Sequence, residues 1–121
     1  PWTRIEARVR AAAEADFVVA FYNPVSQRRR SEIECARDIL LAHRPPTTPV
    51  LLARNLGRAG ETEVIIPLAD LTADHADMLT LVMVGSSQTK AIVRGRRQWL
   101  YTPRGYAAKL VPADARAGEP A

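Results

Sequence analysis

The sequence predicts an α/β layer: one mixed sheet with helices on its faces. Two observations predict it. Three short apolar runs, beginning at Phe17, Pro49 and Met78, are rich in Val and Leu, and each stops at a small polar segment: Asn23-Pro24, Arg54 to Gly57, and Gly85-Ser86-Ser87. Runs of that length are too short for globular helices and suit strands buried on both faces of a sheet. Before and between them lie two segments with helical periodicity. In open α/β sheets ligands collect where strands end, so the polar segments are the first places to look for a site.

The elements follow in order. Thr3 to Asp16 reads as a helix, because Ile5, Val9, Ala12 and Ala13 repeat at helical spacing. Asp16 breaks the pattern, and Phe17 to Tyr22 reads as the first strand, closed by Asn23-Pro24. After a polar connector, Ser31-Glu32-Ile33-Glu34 matches a capping box, although the helix can start earlier, near Gln27. Ile33, Ala36, Ile39 and Leu40 form its apolar stripe, His43 and Arg44 fall in its last turn, and Pro45-Pro46 stops it. Val50 to Ala53 is the second strand, and Arg54 to Gly60 is a glycine-bearing loop. Glu63 to Ile66 reads as an edge strand because Pro67 follows it. Leu68 to Leu71 reads as one helical turn, Thr72 to Asp77 as a polar turn, and Leu79 to Val84 as a further strand. Trp99 and Tyr101 alternate in a last strand, Gln98 to Thr102. Parallel crossovers are expected early in the chain and an antiparallel addition later. Residues 1–112 read as one domain, and 113–121, with no periodicity, as a disordered tail.

Composition narrows the function classes. The chain has 121 residues, 47% of them apolar, enough for one domain with a sizeable core. No apolar run approaches the roughly 20 residues that span a bilayer. The opening Pro1-Trp2-Thr3-Arg4 lacks the pattern of a signal peptide, and a first residue other than Met suggests a piece of a longer polypeptide. A single cysteine, Cys35, excludes an internal disulfide and suits the cytoplasm. The net charge of +4 is compatible with a polycarboxylate substrate or with nucleic acid, and decides neither.

Candidate chemistry is sparse. His43 and His75 stand far apart in different contexts with no Cys or Glu cluster beside either, so no metal site is expected. Gly85-Ser86-Ser87 lacks the flanking glycines of a nucleophile elbow; its serines either donate to a ligand or cap the next turn. Gly57 and Gly60 bracket a short loop without the Lys-Ser/Thr of a phosphate loop. Arg28, Arg29 and Arg30 read as a solvated run or as partners for carboxylates, and Arg94, Arg96 and Arg97 form a second basic cluster. Asn23 and Asn55 stand at strand ends; they either form turns or, with local backbone, grip an adenosine or amino-acid moiety.

Six strings carry a resemblance: Ala12 to Pro24, Ser26 to Arg30, Ala36-Arg37-Asp38-Ile39-Leu40, Ala53-Arg54-Asn55-Leu56-Gly57-Arg58, Asp77 to Ser87, and Tyr101 to Tyr106. They resemble the C-terminal domain of the tetrapyrrole methylase family, in its cobalamin-pathway branch. The resemblance implies two α/β domains with S-adenosyl-L-methionine folded in the cleft between them. The strings match the second domain alone, which implies that the N-terminal domain with its glycine-rich loop lies outside this sequence. It also implies methyl transfer to C17 of precorrin-3B with ring contraction, S-adenosyl-L-homocysteine as product, a tetrapyrrole substrate and a homodimer. By matching position, Tyr22, Asn23, Arg54, Asn55, Leu56, Leu79 and Thr80 would contact the cofactor, and Arg28, Arg29 and Arg30 would meet substrate carboxylates. No catalytic base is implied in this half. The alternative class is a basic α/β nucleic-acid-binding module without catalysis, motivated by the arginine clusters but lacking a recognised motif.

Overall fold

The structure, a computed structural model, describes residues 2–21, 30–75, 79–95 and 97–103. The expected tail at 113–121 lies outside the described residues. Helix α1 (Trp2–Glu14) buries Val9 and Ala13. It ends in a Schellman turn: Asp16 N–H donates to Ala13 and Phe17 N–H to Ala12. Asp16 takes the left-handed position, φ 61°, where glycine is usual. Helix α2 (Arg30–Leu41) buries Ile33, Ala36 and Leu40 along its stripe. The capping box does not form: the helix already includes Ser31, and the Glu34 carboxylate accepts the Ala73 N–H instead.

Among the described residues there are six strands: β1 (Val19–Phe21), β2 (Pro49–Arg54), β3 (Thr62–Pro67), β4 (Thr80–Val84), β5 (Lys90–Arg94) and β6 (Arg97–Tyr101). Two 3-10 turns, Leu68–Asp70 and Ala73–His75, join β3 to β4. The α/β class therefore holds, while the pairing differs from expectation. The four-stranded sheet has the order β1-β4-β2-β3, and every neighbouring pair is antiparallel. β1 and β2 run in the same direction across the α2 crossover, but β4 lies between them. The two most buried strands take the middle, and the edges go to the three-residue β1 and to β3, which ends on Pro67.

The strands are not buried on both faces. Val50 and Leu52 stand opposite Val84 and Val82, and all four are buried. They share one core with Val9, Ala13, Ile33, Ala36, Leu40, Leu68 and Leu71, so both helices lie against the same face. On the opposite face Leu51, Ile65, Leu81 and Met83 are only half-buried. The first strand is also shorter than its apolar run: Phe17 and Val18 precede it and are exposed. β5 was not anticipated. It pairs with β6 as a hairpin turning at Gly95, φ 62°, which places Arg94 and Arg97 opposite each other at the turn.

Arg44 lies past the end of α2 rather than in its last turn, and is 4% exposed. Its guanidinium donates to three carbonyls, Phe17 at 3.0 Å, Gly85 at 2.6 Å and Ala12 at 3.3 Å. It thereby ties the end of α1, the entry to β1 and the exit from β4 together. A planar five-donor group suits that task, since one side chain reaches carbonyls of three separate segments at once.

Candidate functional site

Antiparallel pairing decides which strand ends share an edge. The last residue of β2, Arg54, is opposite the first of β4, Thr80, and Phe21 at the end of β1 is opposite Val82. The carboxyl ends of β1 and β2 and the amino end of β4 therefore meet along one edge. The carboxyl end of β4, with Gly85-Ser86-Ser87, lies at the other. The three polar segments that follow the apolar runs are thus not one constellation.

At the first edge Asn55 continues from β2 into a left-handed corner, φ 57°. Its N–H donates to the Leu79 carbonyl at 3.0 Å, extending the β2–β4 ladder by one bond. Asn tolerates this conformation better than most residues, which accounts for the residue type. Its side-chain amide donates to the Gly60 carbonyl at 3.4 Å. Leu56 and Leu79 project beside this corner, 46% and 45% exposed, while Thr80 is buried. Arg54, Asn55, Leu56, Leu79 and Thr80 are thus neighbours, although Arg54 to Leu56 and Leu79-Thr80 are far apart in sequence. Tyr22, Asn23, Arg28 and Arg29 lie outside the described residues, and Arg30 opens α2.

At the opposite edge the polar groups bond to one another. The Ser86 N–H donates to Thr89 Oγ1 at 2.9 Å, and Thr89 Oγ1 lies 2.6 Å from Thr102 Oγ1. Ser87 donates its N–H and its hydroxyl to the Asp16 carboxylate, at 2.8 and 2.5 Å. Of the two readings of these serines, turn-forming is the one the geometry supports. Gly85 is required there by space, since a Cβ would lie 2.6 Å from that of Thr89. His75 also has a local partner: its Nδ1 accepts the Thr72 N–H at 3.0 Å. Among the described residues no group of three or more His, Cys, Asp or Glu comes together, and no helix is long and apolar enough to cross a membrane.

Comparison with known proteins supplies what the geometry alone does not. No family model matches the chain. A precorrin-3B C(17)-methyltransferase from Sinorhizobium sp. is 42% identical over 108 residues, which are 88% of this chain and 42% of that protein. The cobalt-factor III methyltransferase of Priestia megaterium is 47% identical over 109 residues, 90% of this chain and 19% of that protein. The crystal structure of the methyltransferase CobJ superposes with a TM-score of 0.75 at 35% identity, covering 85% of this chain and 41% of that one. The chain is therefore homologous to one portion of methyltransferases of the cobalamin pathway. Within that class its similarity is to proteins named for precorrin-3B and cobalt-factor III, and it spans about two-fifths or less of their length.

Proposed function

We propose that this chain forms one wall of an S-adenosyl-L-methionine-dependent methyltransferase acting on C17 of precorrin-3B, with ring contraction. The observation that supports this reading most is the meeting of Arg54 to Leu56 with Leu79-Thr80 at one sheet edge, in a fold that superposes on CobJ. The residues fit such a cofactor. Leu56 and Leu79 offer half-exposed apolar contact to an adenine or a thioether chain, and carbonyls of the loop, each with a second lone pair, can accept from the ligand. When bound, the sulfonium supplies the electrophilic methyl group. The work left to this chain is to position it and to keep water from that side. Tyr22 and Asn23 would join the same wall, and Arg28, Arg29 and Arg30 would meet the carboxylates of the tetrapyrrole. The facing wall, with a glycine-rich loop, would come from an N-terminal domain outside this chain. The expected assembly is a cytoplasmic homodimer.

The test is a graft. This chain replaces the matched 108-residue segment of the Sinorhizobium relative, and binding of S-adenosyl-L-homocysteine is measured by calorimetry. Binding should be retained, and should weaken when residues 22–23, 54–56 or 79–80 are altered. Unchanged affinity in all three variants would defeat the reading. Light scattering of the same graft checks the dimer.

A further inference from the structure

We infer that Glu61 is a positioning residue, holding the Asn55–Gly60 loop in the shape that meets the methyl donor. The inference rests on the reading of this edge as a cofactor wall. Three residues of the loop adopt left-handed backbone: Asn55 at φ 57°, Gly57 at 75° and Gly60 at 80°. Glycine reaches such values without steric cost but loses the most freedom when fixed there. The loop therefore needs bonds to keep one shape. Two backbone bonds, Arg58 N–H to Asn55 at 2.9 Å and Glu61 N–H to Arg58 at 3.2 Å, set its two turns. The Asn55 amide reaches the Gly60 carbonyl only at 3.4 Å.

The remaining contact comes from Glu61. Its Oε1 accepts the Gly57 N–H at 3.0 Å. Gly57 directly follows Leu56, so this bond sets the peptide beside the exposed leucine. A bond from an N–H to a charged carboxylate is stronger than one between neutral groups. Glu61 is exposed, lies outside the core and immediately precedes β3. Its removal should leave the fold standing and lower the fraction of molecules whose loop is ready for ligand. Apparent affinity falls by that fraction.

The experiment uses Glu61→Ala and Glu61→Gln in the same graft, with amide exchange at Gly57 followed in this chain. Glu61→Ala should raise the Kd for S-adenosyl-L-homocysteine, and the KM for the methyl donor, about fivefold, with kcat and melting temperature unchanged. Glu61→Gln keeps an acceptor oxygen and should stay within about twofold of the parent. Gly57 exchange should be faster in the Ala variant alone. A graft that binds while Glu61→Ala leaves Kd untouched, or tightens it, overturns the positioning role alone. So does a fall in kcat at constant KM, or Gly57 exchange that does not change. An unsubstituted graft that never binds overturns the cofactor reading, and the positioning role with it.

Discussion

Where β4 ends, Ser86 and Thr89 are buried, bonded to each other and to Thr102, and the Gly85 carbonyl receives Arg44. Where β4 begins, Leu56 and Leu79 stand almost half exposed beside a left-handed corner. Both ends carry Gly, Asn or Ser after an apolar run, and by residue type they look alike. The difference lies in what the polar atoms do. At the first end they are spent on one another, which fixes the turn and leaves little to offer a ligand. At the second, part of the backbone is held by Asn55 and Glu61, and apolar surface is displayed beside it. Small polar residues at a strand end thus mark a turn; exposed apolar neighbours beside held backbone are what the proposed cofactor wall would add to it.

The sharpest way to break this contrast is at Arg44. Arg44→Met removes the donor to three carbonyls and should cost about 3 kcal/mol, read as a lower urea midpoint at unchanged slope. Affinity for S-adenosyl-L-homocysteine, measured on the folded graft, should not move. Gly85→Ala comes next. Its Cβ would meet Thr89 at 2.6 Å, and the overpacking should cost about 2 kcal/mol with binding again spared. Gly60→Ala tests the other end. Space is available, with Asn55 Nδ2 the nearest atom at 3.8 Å, so the cost comes from φ alone. About 1 kcal/mol is expected in thermal melts, together with weaker binding of S-adenosyl-L-homocysteine, the reverse of the Gly85 pattern. The smallest effect belongs to Asp16→Gly. Relief of the left-handed backbone offsets loss of the exposed Ser87 contacts, and the stability from urea unfolding should change by no more than about 0.5 kcal/mol.

Much of the fold was legible because it is local. The stripes Val9-Ala13 and Ile33-Ala36-Leu40 follow from helical spacing alone, and Pro67 marks β3 as an edge strand wherever it pairs. β5 is not legible in the sequence although Ala91-Ile92-Val93 carries β-branched residues, because the apolar stretch is only three residues long and is flanked by Lys90 and Arg94. The proposed site was legible by resemblance as far as Asn55 and Thr80. Glu61 was not, since an exposed carboxylate before a strand has no pattern of its own. Arg44 was read as a helix-end cation, because nothing nearby in the chain tells that three distant carbonyls converge on it.

By itself the sequence determined the two helices, most strands and the apolar stripes, all of which are set by neighbours a few residues away. Tertiary structure alone decided that β4 inserts between β1 and β2, that both helices share one face, and which strand ends lie together. Those outcomes depend on pairing between residues far apart in the chain, where hydrogen-bond ladders and burial compete across the whole molecule and no short stretch records the winner.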